Sequence, residues 1–186
     1  MDLSAYKAIS INGIAMQKIT IGGVVAWVRP AINWVRRSIN ADGTIYNNGL
    51  GYKNGYRVRS GGAETTAGTA SATGYIKVNG GDIIRISGCN FATKSTDNAI
   101  NVSDSNFVNL GQLVGNSSTG HGIFYDDYSA YGYPSVVEEK TGVWKWVVPP
   151  AASGIAYIRV TAATTTYAAL EPDGSTMVVT INEEIK

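Results

Sequence analysis

The sequence has one cysteine, one histidine and few charges. A lone Cys89 cannot close an intrachain disulfide, so a disulfide scaffold and a cysteine zinc centre are both excluded. Set between Gly88 and Asn90 beside an apolar strand, it reads as a small buried filler. The 15 Lys and Arg nearly balance the 14 Asp and Glu, which removes the electrostatic footprint of a nucleic-acid binder. No apolar run approaches the roughly 18 residues of a membrane helix; the longest is Val24 to Val28. Met1-Asp2-Leu3 opens no basic, apolar leader, so the expectation is a chain made in a cytoplasm with no membrane insertion. Catalytic groups are equally sparse. His121 lies between two glycines with no Gly-x-Ser-x-Gly elbow in the chain. Asp126 and Asp127 are adjacent and would project to opposite faces of a strand, which cannot flank a glycosidic bond. Without a phosphate-cradling glycine loop before a helix, nucleotide chemistry has no support either, and no enzymatic activity is expected.

What the chain has is uncharged, polar and aromatic. Charged residues make up 16%, against about 25% in an ordinary domain, and the deficit is filled by Gly, Ser, Thr and Asn together with 11 Tyr. The Leu, Glu, Lys and Arg surplus that sustains helices is missing, so the expected class is all-β. Asn12-Gly13 and Gly22-Gly23 supply two-residue hairpin turns. They predict a small N-terminal β-meander with strands over 7–11, 14–21 and 24–28. A sheet that small buries no sufficient core, so residues 1–30 are expected to be an assembly anchor that docks through Ile11, Ile14, Ile19, Ile21, Val24 and Trp27. Arg29-Pro30 ends the unit, residues 31–37 are expected to be a linker, and 38–186 carry turn signals at the spacing of an antiparallel sandwich or barrel.

Several runs in the larger part alternate with period two. Ile76 with Val78, Ile84 with Ile86, and Trp144 with Trp146 and Val148 mark inward faces; Lys77, Arg85 and Lys145 mark outward ones. Ala156, Ile158 and Val160 alternate with Tyr157, Arg159 and Thr161, and Met177, Val179 and Ile181 define a closing strand.

Two constellations could bind something. Tyr125, Tyr128, Tyr131 and Tyr133, interleaved with Asp126 and Asp127, form a polar-aromatic loop in which phenol faces can stack on sugar rings and carboxylates can accept hydroxyl hydrogens. Tyr46, Tyr52 and Tyr56 repeat that composition among Asn and Gly. Asp97, Asn98, Asn101, Asp104 and Asn106 bring oxygen-bearing side chains within ten positions, the pattern of a structural calcium held by Asp97, Asn101 and Asp104. Metal-free Asx turns produce the same pattern. No other cofactor is expected.

The run 38–47, Ser-Ile-Asn-Ala-Asp-Gly-Thr-Ile-Tyr-Asn, and the following Gly51 to Arg57 resemble a recurrent segment in virion proteins of tailed bacteriophages. So do Gly74-Tyr75-Ile76-Lys77-Val78 with Gly81 to Ile86, and Ala156 to Val160 with Val179 to Glu184. The resemblance implies a jelly-roll-like β-sandwich, similar to carbohydrate-binding modules, in a head fibre, tail fibre or baseplate adhesin. It further implies a non-enzymatic structural protein of the virion, with capsid or tail proteins as partners, a homo-oligomer for which a trimer is the usual arrangement, and adhesion to host-surface polysaccharide. A capsid or tail cement protein without ligand, and a free-standing carbohydrate-binding module, are the alternative readings. The motifs are turn-and-strand patterns and carry over no site residue.

Overall fold

The structure, a computed structural model, describes residues 10–11, 14–15, 18–21, 24–28, 31–92, 97–125, 134–163 and 177–185. The protein is all-β and divides into two compact units, Met1–Ile32 and Asn33–Lys186. In the first unit β1 (Ser10–Ile11) pairs with β2 (Ile14–Ala15), and β3 (Lys18–Ile21) pairs with β4 (Val24–Val28), both antiparallel. The sequence predicts one continuous middle strand over 14–21; it is divided between β2 and β3, which take different partners. Two separate hairpins result in place of one meander. Each register leaves two intervening residues in sequence, Asn12-Gly13 and Gly22-Gly23, so each pairing joins immediate neighbours along the chain.

The second unit is a sandwich of a seven-stranded and a four-stranded antiparallel sheet. The larger contains β5 (Tyr52–Val58), β6 (Glu64–Thr73), β7 (Ile76–Lys77), β9 (Ala99–Ser103), β10 (Asn109–Asn116), β11 (His121–Tyr125) and β14 (Tyr157–Ala163). Its order is β11-β10-β9-β14-β6-β5, with β7 continuing beside β14. The smaller runs β12 (Val137–Lys140), β13 (Val143–Val147), β8 (Ile83–Ser87), β15 (Val178–Ile181). Between β7 and β8 the turn at Asn79 to Asp82 carries the chain from one sheet to the other, held by the Asn79 amide donating to Asp82 Oδ2 at 2.7 Å.

Alternation decides which residues fill the space between the sheets. Trp144 and Trp146 of β13 stand opposite Ile86 and Ile84 of β8, and all four are buried. In the other sheet Ile158 and Val160 of β14 stand opposite Val102 and Ile100 of β9, also buried. Phe91 closes the layer edge-on to Trp144, with ring centroids 5.8 Å apart. Cys89 is wholly buried beside the Thr161 carbonyl, and burial pushes its thiol far up, the inert filler expected from the sequence.

Residues 33–37, expected to be part of a linker, belong to the sandwich. Val35 is fully buried in a short 3-10 turn over Trp34–Arg37. The Asn33 side chain accepts from the amides of Val35 and Val179 at 3.1 Å each and donates to the Met177 carbonyl at 3.0 Å. A side-chain amide thus replaces a neighbouring strand at the edge of the smaller sheet. Asn33 carries the donor and acceptor that an edge strand needs, which ties residues 33–37 to the second unit.

Replacing Trp146 by Ala removes a fully buried indole and should cost about 3–5 kcal/mol in urea unfolding, whereas Lys145→Ala on the opposite face should stay within about 0.5 kcal/mol. Equal effects would contradict the inward assignment of β13.

Candidate functional site

Residues of the larger sheet that alternate with the core form its outer face, and many there are polar yet buried: Asn101, Ser103, Gln112, Arg159 and Thr161. Buried polar groups require partners, and the β5–β6 hairpin supplies them. The hairpin has a register shift between Asn54 and Tyr56, where Gly55 takes a φ of 76°. In a flat ribbon Lys53 and Glu64 would be about 16 Å apart along the strands, but their charged atoms meet at 3.6 Å. The end of the hairpin therefore folds over the sheet. There Gln112 Nε2 donates to the Val58 carbonyl at 2.8 Å, Asn101 Nδ2 to Arg59 at 2.8 Å and Asn109 Nδ2 to Ser60 at 2.6 Å. Three side-chain amides clamp three consecutive carbonyls. The Val58 amide donates to Thr161 Oγ1 at 3.3 Å, and Arg57 meets Asp97 at 3.0 Å.

Next to the clamp lies Arg159, a cation 4% exposed on an interior strand. Its Nη2 donates to Glu64 Oε1 and its Nε to the Thr73 carbonyl at 3.1 Å, while its guanidinium lies 5.5 Å from the ring of Tyr46 and 5.0 Å from that of Tyr75. Tyr46 also donates to Glu64 Oε1, at 2.8 Å. It reaches that position because Gly74 has no side chain: a Cβ there would fall 2.4 Å from Tyr46 Cβ. Burial, then the bond to Glu64, pushes the Tyr46 phenol far up, so it remains a donor. For Glu64, burial pushes the carboxyl up, but Tyr46, Arg159 and Lys53 together outweigh it and hold the group below its ordinary value.

On the other side of Arg159 three rings cluster. Tyr157 stacks on Phe107 with centroids 4.6 Å apart at 26°, and Tyr75 meets Phe107 edge-on at 4.9 Å. Phe107 takes a φ of 64°; among the described residues the three others besides glycine with positive φ are asparagines. Asp104 imposes that conformation, because its Oδ1 accepts from the amides of Asn106 at 2.8 Å and Val108 at 2.9 Å, while its carbonyl accepts from Phe107 at 3.1 Å.

The expected calcium ligands are thus committed to separate tasks: Asp97 holds Arg57 and Thr69, Asn101 holds the hairpin, and Asp104 closes its own loop. Among the described residues no group of three His, Cys, Asp or Glu side chains could hold a metal. Tyr125 ends β11 opposite Gln112; the rest of the predicted sugar-binding loop, Asp126, Asp127, Tyr128, Tyr131 and Tyr133, lies outside the described residues. Tyr46 and Tyr52 are buried, so they are unlike the exposed binding residues their composition suggested; Tyr56 is half-buried beneath Lys53, 3.6 Å from its ring. His121 is exposed at a strand end. The expected anchor residues pair across their hairpins as Ile11 with Ile14, Ile19 with Trp27 and Ile21 with Val24. Sequence reasoning did not single out Arg159, Glu64 or Phe107. A cation inside an otherwise apolar strand was the available signal for Arg159, and nothing local marked its partner. No protein-family model, curated protein or solved structure matches this chain.

Because the folded carboxyl of Glu64 is held down, its stabilisation is present above the unfolded value and is lost as pH falls through the folded one. Glu64→Gln should therefore cost about 1–3 kcal/mol at neutral pH, and the gap to the native protein should close as pH falls below about 4. Thermal unfolding across pH checks the sign; a gap that widens in acid contradicts it. Gln112→Ala leaves the Val58 carbonyl without its buried donor and should cost about 1–3 kcal/mol, with faster hydrogen exchange in the hairpin.

Proposed function

We propose that the protein is a non-enzymatic structural component of a phage virion, of the head-fibre, decoration or tail-fibre kind. Residues 1 to about 30 mount it on the particle, and the sandwich is displayed outward to adhere to host-surface glycan. The observation that carries the reading is the asymmetry of the two units. Asn33–Lys186 has a core of its own, whereas the described residues of Met1–Ile32 form two separate two-stranded hairpins, and such hairpins are marginal in water when no further surface covers them. Apolar cross-strand pairs at Ile11 with Ile14, Ile19 with Trp27 and Ile21 with Val24 suit a permanent contact with a capsid or tail protein, or with copies of the chain in a homo-oligomer. Adhesion through the Tyr125 to Tyr133 segment would be weak per site and strengthened by many copies on one particle. A second reading, a cement protein with no ligand, draws support from the hairpin over part of the larger sheet, where the polar side chains are taken up by the chain's own carbonyls.

Light scattering of the full chain beside a form starting at Asn33 tests the mount. The full chain should be oligomeric or associate with itself, and the shorter form should be a folded monomer; two identical stable monomers would remove the anchor. A multivalent display of the protein on a glycan array tests adhesion, and a blank array would leave the cement reading.

A further inference from the structure

We propose that Tyr75, Phe107 and Tyr157 form a second, separate platform for a pyranose ring on the outer face of the larger sheet, beyond the end of the hairpin; this rests on the adhesion reading above but not on the Tyr125 to Tyr133 loop. Tyr157 stands on β14 between Ser103 of β9 and Lys77 of β7, and the β9–β10 loop brings Phe107 onto it. Left-handed backbone is strained for a bulky residue, and glycine would occupy the position without strain. The two backbone amides held by Asp104 sustain that conformation, and they place an aromatic ring where packing of the interior does not require one. Each of the three rings is half-buried, so each keeps part of its surface in water. Arg159, fixed by Glu64, lies 5.0 Å from the centre of the Tyr75 ring.

The surroundings select a sugar over a protein partner. A protein contact of useful affinity needs a wide apolar patch, and in the loop that carries Phe107 the exposed apolar side chain is Val108, flanked by exposed Ser105 and Asn106. The remaining rim is hydrogen-bonding: exposed Lys77, Ser105 and Asn106, with the Tyr75 and Tyr157 hydroxyls, which bond to none of the described residues. Aromatic faces stack on the C–H face of a pyranose, and phenol, amide and ammonium groups meet its equatorial hydroxyls.

The test uses the full chain in multivalent form on an array of neutral and uronate-bearing bacterial polysaccharide fragments, with Phe107→Gly, Tyr157→Phe and Tyr125→Ala in parallel. Phe107→Gly should lose at least tenfold in apparent affinity while its melting temperature stays level or rises. Tyr157→Phe, which keeps ring and packing, should lose severalfold, and Tyr125→Ala should keep the binding at this site. Full binding by both Phe107→Gly and Tyr157→Phe overturns the platform and leaves adhesion standing. An array on which the native protein is blank overturns platform and adhesion together, while the light-scattering result for the anchor is unaffected. A marked fall in the stability of Phe107→Gly together with full binding by Tyr157→Phe assigns the ring to packing and also overturns the proposal.

Discussion

A guanidinium held away from water on an interior strand is the constraint around which the second unit is organised. Arg159 cannot be buried alone, because an uncompensated charge there would cost several kcal/mol. Its carboxylate comes from Glu64, on a hairpin that must bend back across the sheet to deliver it. Once the hairpin lies there, its exposed backbone has to be satisfied, and Gln112, Asn101 and Asn109 do so through their amides. Tyr46 and Lys53 complete the environment of Glu64, and Gly74 leaves the room Tyr46 needs.

That arrangement divides one face of the larger sheet into two regions of different character. Where the hairpin lies, polar side chains are consumed by the chain itself. Past Arg159, aromatic rings take over, and the backbone conformation forced on Phe107 sets how they meet. The opposite face is conventional packing of Ile, Val and Trp against the smaller sheet. Apolar packing and polar hydrogen bonding are thereby assigned to opposite faces of the same strands. The alternation along β14 is the plainest case: Ile158 and Val160 support the core, while Tyr157, Arg159 and Thr161 support everything outside it.

The larger architecture was legible in advance for a local reason. Period-two alternation placed Trp144, Trp146, Ile84, Ile86, Ile158 and Val160 inside, and each is buried. The Asn-Gly and Gly-Gly pairs located the N-terminal hairpins, although one predicted strand there is shared between two of them. Composition was a weaker guide to the site. Asn and Asp near position 100 suggested metal ligands, but those side chains hold a hairpin and a loop; Tyr46 and Tyr52 suggested a binding surface, but they are buried. Residue types that favour ligands also favour ordinary hydrogen bonds and packing, and position in space alone separates the uses.

The sequence by itself determined that this is an all-β chain and which side of most strands of the second unit faces inward. Alternation, turn chemistry and proline are expressed between neighbours, so they can be read along the chain. The tertiary structure decided what the outer face became. Glu64 meets Arg159 across 95 positions, Gln112 meets Val58 across 54, and Tyr75 and Phe107 meet Tyr157 from different elements. Contacts between residues so distant in sequence depend on how strands are ordered in the sheet and where a hairpin bends, and no local rule encodes either.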